Sequence, residues 1–127
     1  MAKILVVDDS RFQVALLTKA LEENGFDVGT AQDAVQAGMA ALRIAPDAIV
    51  LDINMPGGSG IEVLKRLKRS TKTQRIPIVV VSGSYDPEVR RAAMELGVTD
   101  FLTKPVDLDQ LCKTLSGVLA MPHGTVF

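Results

Sequence analysis

Five groups in this chain stand where runs of strand-forming residues stop. Asp8-Asp9 follow Ile4-Leu5-Val6-Val7, Asp52 follows Ala48-Ile49-Val50-Leu51, Ser82 follows Ile78-Val79-Val80-Val81, and residues 99–102 lead through Thr103 into Lys104-Pro105. If the strands are parallel, these ends share one edge of a sheet and the side chains converge. Three clustered carboxylates raise one another's pKa values unless a cation neutralises them. A hard divalent ion such as Mg²⁺ does so with one or two carboxylates, a carbonyl and water. Beside such an ion Asp52 could attack phosphorus as a carboxylate nucleophile, while the Lys104 ammonium and the Ser82 hydroxyl neutralise and orient the other phosphoryl oxygens. The plainer reading is that strand ends meet loops and loops are polar. It accounts for any one of these residues more easily than for all five groups together.

What must position these groups is an alternation of short apolar runs with longer amphipathic stretches. Residues 4–7, 48–51 and 78–81 are continuous and rich in β-branched side chains, as strands buried on both faces should be. Residues 27–31 and 99–102 are shorter or more polar and are expected at the sheet edges. Five helices are expected. Ser10 caps the first, which runs to about Asn24 and stops at Gly25. Asp33-Ala34-Val35-Gln36 resembles a capping box for the second, which ends before Pro46. The third covers about residues 60–69. Asp86-Pro87-Glu88 gives the fourth a cap, a proline at its first position and an early acid, and Gly97 stops it. Asp107-Leu108-Asp109-Gln110 is a further capping box, for a fifth helix that fades near Leu119. Five such units predict an α/β fold, a doubly wound parallel sheet with helices on both faces.

The 127 residues fit one compact domain and leave no room for a second. A composition of 47% hydrophobic and 23% charged residues is ordinary for a soluble globular chain, and a net charge of −1 gives no global steering toward nucleic acid or an anionic membrane. The single cysteine, Cys112, excludes an internal disulfide and fits a reducing compartment. It falls in the stripe Leu108, Leu111, Cys112, Leu115, Leu119, where a small buried hydrophobe is expected. The first apolar run is too short for a signal-peptide core and no later run approaches membrane-spanning length, so a cytoplasmic location is expected. Residues 121–127 read as a flexible tail or linker stub after a domain spanning 1–120.

Asp8-Asp9, Asp52 with Asn54-Met55-Pro56 after it, Ser82-Gly83, and Phe101 followed three residues later by Lys104-Pro105 resemble the receiver domain of two-component response regulators. The resemblance covers about residues 3–119, in the family's order and spacing. It implies a flavodoxin-like five-stranded sheet of order 2-1-3-4-5 with five helices. It also implies that Asp52 accepts a phosphoryl group, in a Mg²⁺-dependent reaction, from a phosphohistidine on a sensor histidine kinase or histidine phosphotransfer protein. By the same carry-over, Asp9 and Asp52 ligate Mg²⁺ together with the backbone carbonyl of Asn54, and Asp8 assists through water. Lys104 would pair with the phosphate, Ser82 would move to hydrogen-bond it, and Phe101 would swing inward behind Ser82.

The family further implies a cis peptide at Lys104-Pro105 and an output face built from the fourth helix, fifth strand and fifth helix. Exposed Val98, Asp100 and Lys113 are the expected contacts there with an unidentified protein target. No direct DNA binding, no membrane association, and a monomer or a phosphorylation-dependent dimer are expected of such a switch, which is not a turnover enzyme. Ser82 for threonine and Phe101 for tyrosine are family variants; Phe101 lacks the hydroxyl, so its switching would rest on packing. Asn54 and Ser84 flank the place of a hydrolytic water, and neither is large or apolar enough to exclude it. Appreciable self-dephosphorylation is expected.

Rival readings stay open. A haloacid-dehalogenase-type phosphatase also forms an aspartyl phosphate beside Mg²⁺, but it wants a second aspartate two residues on, on the first strand, and a cap segment; here Asn54 holds that place, on the third strand. A phosphorylation-independent interaction domain would keep the fold without the switch, against which stands the presence of every acceptor residue. A flavin-binding module would need a Ser/Thr/Gly-rich phosphate loop after the first strand, and none follows. Residues 65–75 hold six cations and no acid. With no aromatic residue interleaved to stack bases, they read as a solvated face whose charges favour a helix C-terminus. His123, the only histidine, is read as inert.

Overall fold

Side-chain alternation along the strands decides the layers. The computed structural model describes residues 2–54, 59–83 and 86–120; Met55, Pro56, Ser84 and the segment 121–127 with His123 lie outside the described residues. The elements run β1 (Lys3–Val7), α1 (Arg11–Glu23), β2 (Asp27–Ala31), α2 (Ala34–Ile44), β3 (Ala48–Asp52), α3 (Ser59–Arg69), β4 (Ile78–Ser82), α4 (Pro87–Glu95), β5 (Asp100–Thr103) and α5 (Leu108–Ala120). All strand pairs are parallel and the order is β2-β1-β3-β4-β5, with the two more polar strands at the edges as expected. Leu5, Val7, Ile49, Leu51, Ile78, Val80 and Phe101 point to the layer of α2, α3 and α4. Ile4, Val6, Val50, Val79, Val81 and Leu102 point to the layer of α1 and α5, where Cys112 is buried. A strand covered on both faces has no reason to alternate with polar residues, hence the unbroken apolar runs.

Strand order reverses between β1 and β3, the place where such sheets gather ligands beyond their carboxyl ends. Val7 pairs with Leu51, so Asp8 and Asp52, each one residue further on, come side by side. Asp52 pairs with Val81 and Ser82 with Thr103, which carries the row of strand ends across to β5. Both Asp52 and Ser82 are therefore the last residues of their strands rather than the first of their loops.

The caps largely follow the chemistry of the sequence. Ser10, Asp33, Asp86 and Asp107 accept backbone N–H bonds from Gln13, Gln36, Glu88 and Gln110 respectively. The expected capping box at Asp33 closes differently: the Gln36 side chain accepts from Gln32 N at 3.0 Å, one residue before the cap. Gly25 and Gly97, both at φ 88°, end α1 and α4 in the left-handed region that glycine enters without a Cβ penalty. α2 ends on Ala45 at φ 49°, because the residue before Pro46 is kept out of the right-handed helical region. At the end of α3 the buried Thr73 hydroxyl donates to the Leu67 carbonyl at 2.7 Å. That satisfies a carbonyl the helix leaves without an internal partner.

Two surface expectations need correction. Val98 is buried rather than exposed: it follows the turn at Gly97 and packs into the layer beneath α4. Asp100 is half-buried, its carboxylate accepting from Phe101 N at 2.8 Å, while Lys113 is exposed as expected.

Candidate functional site

Each acidic residue at the head of the sheet is held by the chain that follows it. Asp8 N continues the ladder to Ala31 O at 3.1 Å, and its Oδ1 accepts from Ser10 N at 2.9 Å, so the start of α1 fixes the carboxylate. Asp52 Oδ1 accepts from Asn54 N at 3.0 Å, the same two-residue loop closure. Asp8 and Asp52 are 2% and 5% exposed, whereas Asp9 is on the surface. Despite that difference, carboxylate oxygens of Asp8, Asp9 and Asp52 lie within 4.8 Å of one another.

The lysine arrives from the other side. Lys104 N donates to Ser82 O at 2.8 Å, the Lys104-Pro105 peptide is cis, and the ammonium sits 3.4 Å from Asp8 Oδ2 and 3.3 Å from Asp52 Oδ2. Ser82, fully buried, accepts at Oγ from Asn54 Nδ2 at 2.9 Å. The structure thus brings together all the site residues expected at the strand ends, and adds a side-chain link between Asn54 and Ser82.

Burial, reinforced by the neighbouring Asp52 charge, pushes the Asp8 carboxyl above its ordinary value, although the Ser10 N–H and the Lys104 ammonium pull it back. Among the described residues, one ammonium faces three carboxyl groups in the cluster. The donors are all hard oxygens, a set that suits Mg²⁺, Mn²⁺ or Ca²⁺ rather than zinc.

Phe101 stands apart from the polar cluster, buried on the α4 side of β5 with the Arg90 guanidinium 5.4 Å from its ring centroid. That spacing is within reach of a cation–π attraction. Sequence reasoning missed Arg90, since nothing in residues 86–97 shows which face of α4 meets β5. It also assigned Ser10 only a capping role, although an Asx-type closure could have been read from Asp8-Asp9-Ser10.

A parallel sheet of order β2-β1-β3-β4-β5 with an acidic cluster at its point of reversal defines a doubly wound α/β domain with a polar site at its strand ends, and comparison with known proteins gives its family. The family model "Response regulator receiver domain" matches residues 4–116, and the chain belongs to that family. Protein PilH of Pseudomonas aeruginosa is 36% identical over 120 residues, covering 94% of this chain and 99% of PilH. Response regulator PleD of Caulobacter vibrioides is 42% identical over 106 residues, covering 84% of this chain but 23% of PleD. Among solved structures, chemotaxis protein CheY4 of Vibrio cholerae superposes with a TM-score of 0.86 at 33% identity, covering 93% of this chain and 98% of CheY4. Among the described residues no helix is long and apolar enough to cross a membrane.

Proposed function

We propose that this receiver domain is a phosphoacceptor switch in which Asp52 takes a phosphoryl group from a phosphohistidine on a sensor histidine kinase or histidine phosphotransfer protein. The observation that carries the reading is the Lys104 ammonium lying between Asp8 and Asp52 inside the acidic cluster. A carboxylate oxygen of Asp52 attacks phosphorus in line, the P–N bond to the imidazole breaks, and the imidazole nitrogen keeps the bonding electron pair. Asp8, Asp9, Asp52 and the Asn54 carbonyl would hold Mg²⁺. Bound there, the ion would neutralise the carboxylates and screen the incoming phosphoryl oxygens. Lys104 follows the new negative charge, and the Ser82 hydroxyl hydrogen-bonds a phosphoryl oxygen.

The acyl phosphate brings nearly two negative charges to one edge of the sheet. Its effect elsewhere is a population shift, bounded by how differently Ser82 and Lys104 contact the phosphate in the two states. Ser82 pairs with Thr103 across β4 and β5, and Phe101 lies two residues before Thr103, so the shift is read at the face of α4, β5 and α5 by a protein target. Exposed Lys113 and half-buried Asp100 are among its charges. Domain 1–120 carries the switch, with no turnover of a separate substrate, and the buried single thiol suits a cytoplasmic setting. Water reaching the acyl phosphate past Asn54 would return the protein to its resting state.

The test is the intact mass after incubation with Mg²⁺ and a small acyl phosphate, beside an Asp52→Asn control. One added phosphoryl unit on the native chain and none on the control is the expected result. No phosphoryl unit even at saturating Mg²⁺, and none on incubation with histidine-phosphorylated donor proteins, would favour an interaction domain that has kept the fold without the switch.

A further inference from the structure

The side of α2 facing away from the sheet is unusually apolar. α2 lies on the sheet through Ala37, Ala40 and Ala41, which leaves its larger side chains outside: Val35, Met39 and Leu42 are 63%, 62% and 56% exposed. Their spacing of four and then three residues makes them one stripe along the helix. The stripe is one wall of a recess of about 330 Å³, and Arg66 and Leu67 of α3 stand in the other.

Charge beside the recess is mostly positive, with Asp33 and Glu62 the nearest acids along the chain. Residues 34–46 contain Arg43 and no acid, and residues 65–75 contain six cations and no acid. Among the described residues, Lys65 alone of these cations has an ion pair, with Glu62 at 3.7 Å. Of these cations Arg66 lines the recess and Lys68 reaches toward Gly97 at the end of α4, and the segment as a whole is positive in a chain of net charge −1. The helix C-terminus explains cations in the last turn of α3, but not those that continue to Arg75, nor the apolar stripe beside them.

We propose that the recess between α2 and α3 is a docking surface for an acidic amphipathic helix of a partner protein. An inserted apolar side chain fills the space between Met39 and Leu67, and flanking Asp or Glu residues meet Arg66 and Arg43. Met39, unbranched and polarizable, adapts its shape to the inserted group. A bilayer would instead require apolar side chains projecting from a convex ridge, whereas these line a concavity. Helix-in-groove recognition of this kind uses anchors at the spacing that α2 itself displays. The surface lies on the opposite layer from α1 and α5 and apart from the acidic cluster, so docking does not require phosphorylation.

A phage-displayed library of helix-forming peptides, selected on the whole chain, tests this. Enriched peptides should carry apolar residues at three- and four-residue spacing flanked by Asp or Glu, and should shift the Met39 methyl resonance on titration. Met39→Gln and Arg66→Glu, both at exposed positions, should each weaken binding roughly tenfold or more. Asp52→Asn should leave it unchanged. Absence of enrichment, enrichment of peptides without acids, or binding to either variant as tight as to the native chain would overturn the proposal. So would co-sedimentation with phosphatidylserine vesicles that depends on Met39, which assigns the surface to lipid, or a concentration-dependent dimer lost in Met39→Gln, which assigns it to a second copy.

Discussion

Asp8 is the residue at which the site's energetics are most exposed. Burial and the Asp52 charge raise its carboxyl above the ordinary value of 3.8. The folded state therefore binds this proton more tightly than the unfolded state. Stability falls as pH rises from about that ordinary value through the raised one, and the cost is fully present above both. In chelator at neutral pH, Asp8→Asn should therefore melt higher than the native chain, and the two melting temperatures should converge as pH falls toward about 4. A variant that melts lower at every pH would mean that Asp8 is held mainly by its Ser10 and Lys104 partners. The residues of this cluster were legible because each closes an apolar run. Arg90 was not, because its meeting with Phe101 depends on how α4 is rotated over the sheet. Val98 was misread for a related reason: a residue just after a helix-stopping glycine looks like loop, yet here it folds inward before β5 begins.

At the scale of elements, the start of α3 lies close against the end of β3. A Cβ on Gly60 would lie 2.3 Å from both Cα and O of Ile53, the residue after Asp52. Backbone cannot yield there as a flexible side chain would, so Gly60→Ala should cost about 1–3 kcal/mol in chemical denaturation. On the proposed function it should also slow phosphorylation of Asp52, by displacing the start of α3 from Ile53. Gly117→Ala in α5, where nothing lies within 4 Å, is the matched control and should gain up to about 1 kcal/mol. If both substitutions stabilise alike, the close approach at Gly60 is not maintained in solution. Helix starts were readable from Ser10, Asp33, Asp86 and Asp107, since a cap is chemistry between near neighbours. The Thr73–Leu67 bond that finishes α3 reaches back six positions, from the turn after Arg69 into the last turn of the helix, for which the sequence carries no comparable signal.

For the whole molecule, an ion held by the acidic cluster would make folding and metal binding one equilibrium. An ion that binds only the folded chain stabilises it by about 2.7 kcal/mol at a hundred times its dissociation constant. Mg²⁺ should raise the melting temperature, and Asp9→Asn, a change at an exposed position, should remove most of that rise without lowering the metal-free value. An identical response to Mg²⁺ in the variant would take Asp9 out of the ion's coordination. The parallel architecture was legible because alternation of apolar runs and capped helices leaves few other topologies. The order of the strands came only with the family resemblance, since no local feature says which strand lies beside which.

The two hydrophobic layers meet only through the backbone of the sheet. Side chains such as Ile4 and Val6 pack against α1 and α5, and Leu5 and Val7 against α2, α3 and α4, with no side chain shared between the groups. Volume lost or gained in one layer is thus answered within that layer, and substitutions on opposite sides should combine by simple addition. Over generations of sequence change, the α1–α5 side and the α2–α3–α4 side form two nearly separate packing problems. Either can drift, or be redesigned, while the acidic cluster at the strand ends, anchored in backbone common to both, stays where it is.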